Sequence, residues 1–337
     1  MLRVMLLATL AICMSIVGSC GAAAQSSKLT VIIGYTPGAA YDIYARSVAR
    51  HLGKHLPDRP SVVPQNMAGA GSLKAANYLF NNAAGDGSII GIFARGLAMQ
   101  PLLDNQGIAF DARKFNWLGS PSAEASVVFA WHTKGFRTLD DVRSRQMIVP
   151  ATGSGANSAI FPFVLNSVIG TKFKVVLGYP GQAETMLAIE RGEADGSAGS
   201  SWSYLASARK DWLVQNRINI LSQIAFKRHI DLPNIPLVMD AAKDEVGRKV
   251  LELIFSRQMM AYPFVAPPGV APDRVAALRK AFDAVMKDPE FRADAERQSL
   301  DIDPVSGPEI EAMITTVYSH TSEVVSRAKA ALLDGKP

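Results

Sequence analysis

Short runs rich in Val and Ile alternate along the chain with segments whose apolar residues recur every three or four positions. The runs predict strands over 29–35, 61–63, 89–93, 126–131, 147–149, 173–178 and 218–224. Between the first two, Ile43, Tyr44, Val48 and Leu52 fall on one face of a helix that Asp42 caps and that runs to about Leu56. Ser72 caps a second helix through Tyr78 and Phe80. The last third reads as packing helices. Pro272 opens Val275, Leu278, Phe282 and Val285 at near-helical spacing, Asp288-Pro289 opens the next, and Ser306-x-x-Glu309 is a capping box before Ile310, Met313, Ile314 and Val317. Strand–helix alternation predicts α/β lobes.

Of the 337 residues, 48% are hydrophobic and 19% charged, which excludes a disordered chain, and the length suits two domains. The formal charge of +5 is spread out: the densest clusters, Arg143-Ser144-Arg145 and Lys227-Arg228-His229, are short and free of interleaved aromatics, so no nucleic-acid surface is expected. The 25 uncharged residues 147–171 are broken by Pro150, Gly153, Gly155, Asn157, Pro162, Asn166 and Gly170, and read as strand, Gly-rich turn and buried helix rather than a membrane span. Trp131, Trp202 and Trp212 read as core or lobe-surface residues.

Residues 1–24 read as an export signal: Arg3 is the only charge among the first 27 residues, and residues 4–17 form an apolar run of 14, too short to span a bilayer. Two processing sites compete. Ala22-Ala23-Ala24 before Gln25 has the small-x-small form, whereas Val17-Gly18-Ser19-Cys20 is similar to a lipobox that would lipidate Cys20. Both cysteines, Cys13 and Cys20, lie in this segment, so a chain beginning at Gln25 holds no thiol, as suits an oxidising periplasm.

No catalytic constellation stands out. His51 and His55 have i,i+4 spacing but no intervening zincin Glu, no G-x-S-x-G elbow occurs, and Gly69-Ala70-Gly71 lacks the third Gly of a dinucleotide fingerprint. No metal and no cofactor is expected. What remains is a set of small-residue turns entering helices, at 36–42, 66–72 and 152–158. Such turns expose backbone N–H groups at a helix start, where a carboxylate is stabilised without a dedicated cation.

Several segments, in order, resemble the periplasmic receptors of tripartite tricarboxylate transporters, the Bug-type solute-binding proteins. Pro37-Gly38-Ala39-Ala40-Tyr41-Asp42 resembles their P-G-G-x-x-D, and Asn66-Met67-Ala68-Gly69-Ala70-Gly71 their N-x-x-G-A-G. Asp86-Gly87, Leu232-Pro233-Asn234-Ile235-Pro236 and Ala266-Pro267-Pro268-Gly269-Val270-Ala271-Pro272 resemble their D-G turn, L-P-x-x-P segment and A-P-x-G-x-P crossover. Ala39 departs from the pattern, standing where the family usually has its second Gly.

The resemblance implies a two-lobed periplasmic-binding-protein-like α/β fold with a ligand cleft between the lobes: lobe I from 26–120 plus 226–337, lobe II from 121–225. It implies a monomeric, non-enzymatic receptor that captures a small organic carboxylate, largely through backbone amides, and hands it to membrane permease subunits. A chemosensory receptor using the same cleft and an exported enzyme acting on a small acid are the alternatives. Site residues follow individually: Gly38, Ala39 and Ala40 as N–H donors; Asp42 as the cap fixing that loop; Tyr35 or Tyr41 as a hydroxyl or ring. Arg95 is expected either as a direct carboxylate cation or in a structural ion pair. Ser154, Gly155, Asn157 and Ser158 complete the cradle from lobe II, with Tyr179 and Gly181 at another strand end.

Overall fold

Lys28–Ile33 forms the central strand of the larger sheet, and from Val31 onward every side chain of the strand is buried, because strands pair with it on both edges. In this computed structural model the residues described are 28–38, 40–104, 106–153 and 156–333. The strands are β1 (Lys28–Ile33), β2 (Ser61–Asn66), β3 (Ile89–Ile92), β4 (Asn116–Ser120), β5 (Ser126–Trp131), β6 (Met147–Pro150), β7 (Phe173–Val176), β8 (Gly196–Ser201), β9 (Ile218–Ile224), β10 (Phe264–Ala266) and β11 (Val305–Ser306). The helices are α1 (Ala40–Leu52), α2 (Leu73–Asn81), α3 (Gln100–Leu103), α4 (Leu139–Ser144), α5 (Asn157–Ile169), α6 (Gln182–Glu190), α7 (Trp202–Ala208), α8 (Lys210–Val214), α9 (Glu245–Phe255), α10 (Pro272–Lys287), α11 (Pro289–Arg297), α12 (Gly307–Tyr318) and α13 (Ser322–Leu333).

The larger sheet has the order β11-β4-β10-β3-β1-β2, parallel around β1 and antiparallel around β10. A second body carries the antiparallel sheet β8-β5-β9 and the parallel pair β6-β7. Two connections join the large sheet to the small one: residues 121–125 between β4 and β5, and residues 225–263 between β9 and β10, which include α9. The fold is thus two-lobed and α/β, and α13 closes it by packing on α9 and α5.

All seven predicted strands are present, and four more are found. β8 is Gly-Ser-Ala-Gly-Ser-Ser and has no β-branched residue, so its pairing with β5 comes from tertiary context rather than propensity. β10 and β11 have three and two residues, too short for a period to show. β4, Asn116–Ser120, reads as a strand only because β10 and β11 flank it. β2 runs past its predicted end through Pro64, opposite Val31, because β2 is the edge strand and an edge tolerates a missing N–H.

The C-terminal helices form as their caps predict. Val275, Leu278, Phe282 and Val285 are buried, and both halves of the Ser306–Glu309 capping box are made. Within residues 147–171 lie β6 and the buried helix α5, and among the described residues no helix is long and apolar enough to cross a membrane. The expected signal at 1–24, with Cys20, lies outside the described residues.

His51 and His55 dock α1 on α11. Asp288, 7% exposed, caps α11 by accepting from the Glu290 N–H at 2.9 Å, and receives Lys54 Nζ at 2.7 Å and His55 Nε2 at 2.8 Å. His51, Asp288 and Glu290 bring ligand atoms within 4.8 Å of one another, but Lys54, also 2.5 Å from Glu290, already supplies the positive charge there. Burial alone would raise the Asp288 pKa; the bonds from Lys54, His55 and the Glu290 N–H outweigh it and hold the carboxyl well below the usual range. A depressed folded pKa stabilises the fold above the unfolded value near 4 and loses that contribution as pH falls. Asp288→Asn is therefore expected to cost about 2 kcal/mol at pH 7 and to flatten the acid limb of stability. Melting curves from pH 7 to pH 2 that fall in parallel for both proteins would show that Asp288 contributes nothing.

Candidate functional site

The chain leaves β1 at Ile33 and reaches α1 through a loop held by one carboxylate. Asp42, 3% exposed in the first turn of α1, accepts from the Gly38 N–H at 2.9 Å, from Asn66 Nδ2 at 2.8 Å and from Arg46 Nε at 2.9 Å. Asn66 Nδ2 also donates to the Tyr35 carbonyl at 2.8 Å, and its side-chain oxygen accepts from Arg46 at 2.8 Å. Burial would raise the Asp42 pKa, but the bonds from Arg46, Asn66 and Gly38 outweigh it and lower it. The expected cap is thus a clamp reaching back to the loop. Gly38 takes φ +82°, the left-handed region that suits glycine, and Ala40 is the exposed first residue of α1. Ala39 lies outside the described residues.

Ser72 does not cap α2 through its side chain. It is 1% exposed, and its hydroxyl accepts from the Ala94 N–H at 3.2 Å, tying the end of β3 to the loop before α2.

Tyr35 and Tyr41 stack with ring centroids 4.5 Å apart; Tyr41 meets Tyr262 edge-on at 5.1 Å, and Tyr262 stacks on Tyr44 at 3.7 Å. Burial pushes all four hydroxyls up, that of Tyr35 to about 12, so they stay neutral. Where this ladder ends, a cavity of about 440 Å³ opens, lined by Tyr44, Tyr262, Trp202 and Tyr204 among others. Trp202 is buried, as expected, and its Nε1 donates to Asp231 at 3.1 Å.

Arg95 follows β3. Its backbone N–H donates to the Tyr41 hydroxyl at 3.1 Å, and its guanidinium pairs with Glu124. Burial would lower the Arg95 pKa, but the Glu124 carboxylate outweighs it. Glu124 sits in the 121–125 connection, where its N–H donates to the Gln258 carbonyl at 2.8 Å. Gln258, 1% exposed, also donates from its side chain to Ser126 at 2.8 Å, so the two connections are stitched side by side. Arg257, the neighbour of Gln258, is half-buried; burial and the adjacent Arg95 charge push its pKa down to about 10.

On the other lobe, Asn157 and Ser158 begin α5, Gly181 precedes α6, and neither helix start has a side-chain cap. Both open on a cavity of about 260 Å³ lined by Glu124, Asn157, Ser158, Gln182, Thr185 and Ser200, among others. The first turns of α5 and α6 thus present amide donors, and hydroxyls surround them. Asn157 and Ser158 line this cavity; Tyr179 is half-buried and does not. Ser154 and Gly155 lie outside the described residues. A larger cavity of about 820 Å³ lies beside residues 225–231 and 301–305, where Lys227 pairs with Asp303 at 3.5 Å.

Glu124 and Arg257 were missed by the site expectations, yet the sequence carries a signal for both. Glu124 is the only Asp, Glu, Lys or Arg between Lys114 and Lys134, Arg257 the only one between Glu252 and Asp273, and Arg95 the only one between Asp86 and Asp104. Glu124 pairs with Arg95 and Arg257 lies beside Arg95, so three solitary charges gather around one arginine, as isolated charges do when they are kept for a partner or a ligand.

Among curated proteins no sequence matches the chain. Among solved structures, a TctC solute-binding protein from Polaromonas is 17% identical, with a TM-score of 0.70 over 91% of this chain and 98% of that one. MatC from Rhodopseudomonas palustris with bound malate is 17% identical at TM-score 0.56, over 90% of this chain and 98% of that one. An R. palustris protein with adipate is 17% identical at TM-score 0.58, over 89% and 97%. These likenesses bear on the fold and agree with the two lobes described above. The family model described as "Tripartite tricarboxylate transporter family receptor" matches residues 44–325, so this chain belongs to that family of solute-binding receptors, which are not enzymes.

Proposed function

We propose that this protein is a periplasmic receptor that binds a small organic carboxylate between its lobes and delivers it to the membrane subunits of a tripartite tricarboxylate transporter. One observation carries the reading: two helix starts without side-chain caps, at Asn157 and Gln182, open on one hydroxyl-rich cavity, and such starts favour an anion. The structural neighbours with malate and adipate support the ligand class. In this reading the lobes are 26–120 plus 226–337 and 121–225, closure is a hinge motion about the paired connections, and the receptor acts as a monomer. Gly38, Ala39 and Ala40 serve from lobe I, and Ser154, Gly155, Asn157, Ser158 and the Tyr179–Gly181 turn from lobe II, largely through backbone amides. Export follows the 1–24 signal, with Cys20 as anchor if the chain is lipidated. Calorimetric titration with mono-, di- and tricarboxylates of two to eight carbons is expected to give at least one acid of micromolar affinity or better. No heat with any of them would remove the reading.

A further inference from the structure

The carboxylate-receptor reading leaves open which side chain, if any, meets the acid. The pairing of Arg95 with Glu124 narrows the answer, because Glu124 can neutralise only one guanidinium. Arg257 stands beside that pair. Among the described residues it makes no hydrogen bond and no ion pair; its electrostatic neighbours are Arg95, which repels it, and the neutral Tyr41. Its guanidinium packs over Gly96, where a Cβ would lie 3.6 Å from the guanidinium carbon, so no side chain stands between that backbone and the cation. Arg95, Glu124 and Arg257 together carry one net positive charge at the seam of the two connections. Glu124, the partner of Arg95, lines the cavity on which the helix starts open, and Arg257 reaches this group through Arg95. A cation held in partly desolvated surroundings without an acceptor is unfavourable unless an anion arrives.

We propose that Arg257 is the specificity-determining side chain of this receptor, the cation on which one carboxylate of the bound acid seats, while Glu124 keeps Arg95 neutralised. The planar fork of Arg257 suits bidentate contact with a carboxylate, so the receptor selects acids over their uncharged amides through this residue. The proposal rests on the carboxylate-receptor reading, and its test separates the two.

Full-length protein, wild type, Arg257→Gln and Arg257→Lys, is titrated with mono-, di- and tricarboxylates of two to eight carbons, succinate, adipate, butyrate and benzoate among them, and with their corresponding amides, and each unliganded protein is melted. Wild type is expected to prefer the acid to its amide. Arg257→Gln weakens acid binding by about 10- to 100-fold and erases most of that preference, and Arg257→Lys falls between. The unliganded Arg257→Gln protein melts at or above the wild-type temperature, since removing an uncompensated cation relieves its repulsion with Arg95. Acid binding by Arg257→Gln within about twofold of wild type overturns the proposal, and so does a lower unliganded melting temperature, which marks Arg257 as a structural cation. Wild type that binds none of the acids overturns the carboxylate reading itself, and this proposal with it.

Discussion

Asp42→Ala is expected to lower the unfolding free energy by about 3 kcal/mol and to weaken ligand binding by at least about tenfold. The carboxylate is nearly inaccessible and takes three donors, from the Gly38 backbone, Asn66 and Arg46. Arg46 is 39% exposed and rehydrates when its partner goes, so little of the cost falls there. Asn66 and the Gly38 N–H carry most of it, because each loses an acceptor in a half-buried setting. The loop bearing Tyr35 and Gly38 is tied to α1 and β2 through the same oxygens, so loss of the clamp frees the loop expected to face the ligand. Asp42→Asn does not rescue it: whichever way the amide turns, its NH2 group faces a donor, either the Gly38 N–H or the pair from Arg46 and Asn66. The effect also has a pH signature. With its pKa lowered in the folded state, Asp42 contributes fully above the unfolded value near 4 and progressively less as pH falls below it. Urea unfolding at pH 7 together with calorimetry decides the matter. A loss under about 0.5 kcal/mol with unchanged affinity would mean that the loop holds itself.

How far the sequence discloses this molecule depends on whether a signal is local. The capping box at Ser306 and the Pro272 helix start are local, and both are found as expected. Asp42 was legible as a residue of the helix start for the same reason, but the helix opens two residues earlier, so Asp42 sits in its first turn and clamps the loop instead of capping, and its partner Asn66, 24 residues away, was not legible. β8 was hidden because Gly, Ser and Ala have no strand preference of their own. Ser72 misled, since a serine before an apolar helical run signals a cap, whereas here the residue takes φ +79° and spends its hydroxyl on Ala94. At the site, turn chemistry located the α5 start but not Glu124 or Arg257. Neither belongs to a motif; each is conspicuous only as a lone charge in a long uncharged stretch, and what joins them is the return of the chain from β9 to β10.

Gly199→Ala is expected to cost about 3 kcal/mol and to impair binding, because it acts on the backbone that shapes the cavity. The β5–β8 register shifts between Val127, opposite Ser200, and Val128, opposite Ala198, which leaves Gly199 as the extra residue of a bulge. Its φ of +116° is a conformation that side-chain-bearing residues rarely adopt. A methyl there would also lie 2.9 Å from the Phe161 ring and 3.0 Å from the Asn157 carbonyl, the first residue of α5. Strain and overcrowding therefore add, and the relief available is a shift of the first turn of α5, which carries Asn157 and Ser158 at the cavity wall. Gly38→Ala provides the control. Gly38 also has positive φ, +82°, but nothing lies within 4 Å of an added Cβ. That change costs only about 1 kcal/mol of backbone strain. If Gly199→Ala and Gly38→Ala destabilise equally in urea, crowding against α5 contributes nothing. If Gly199→Ala binds its acid as wild type does, the α5 start does not shape the ligand site, and the helix-start reading of the cavity loses its support.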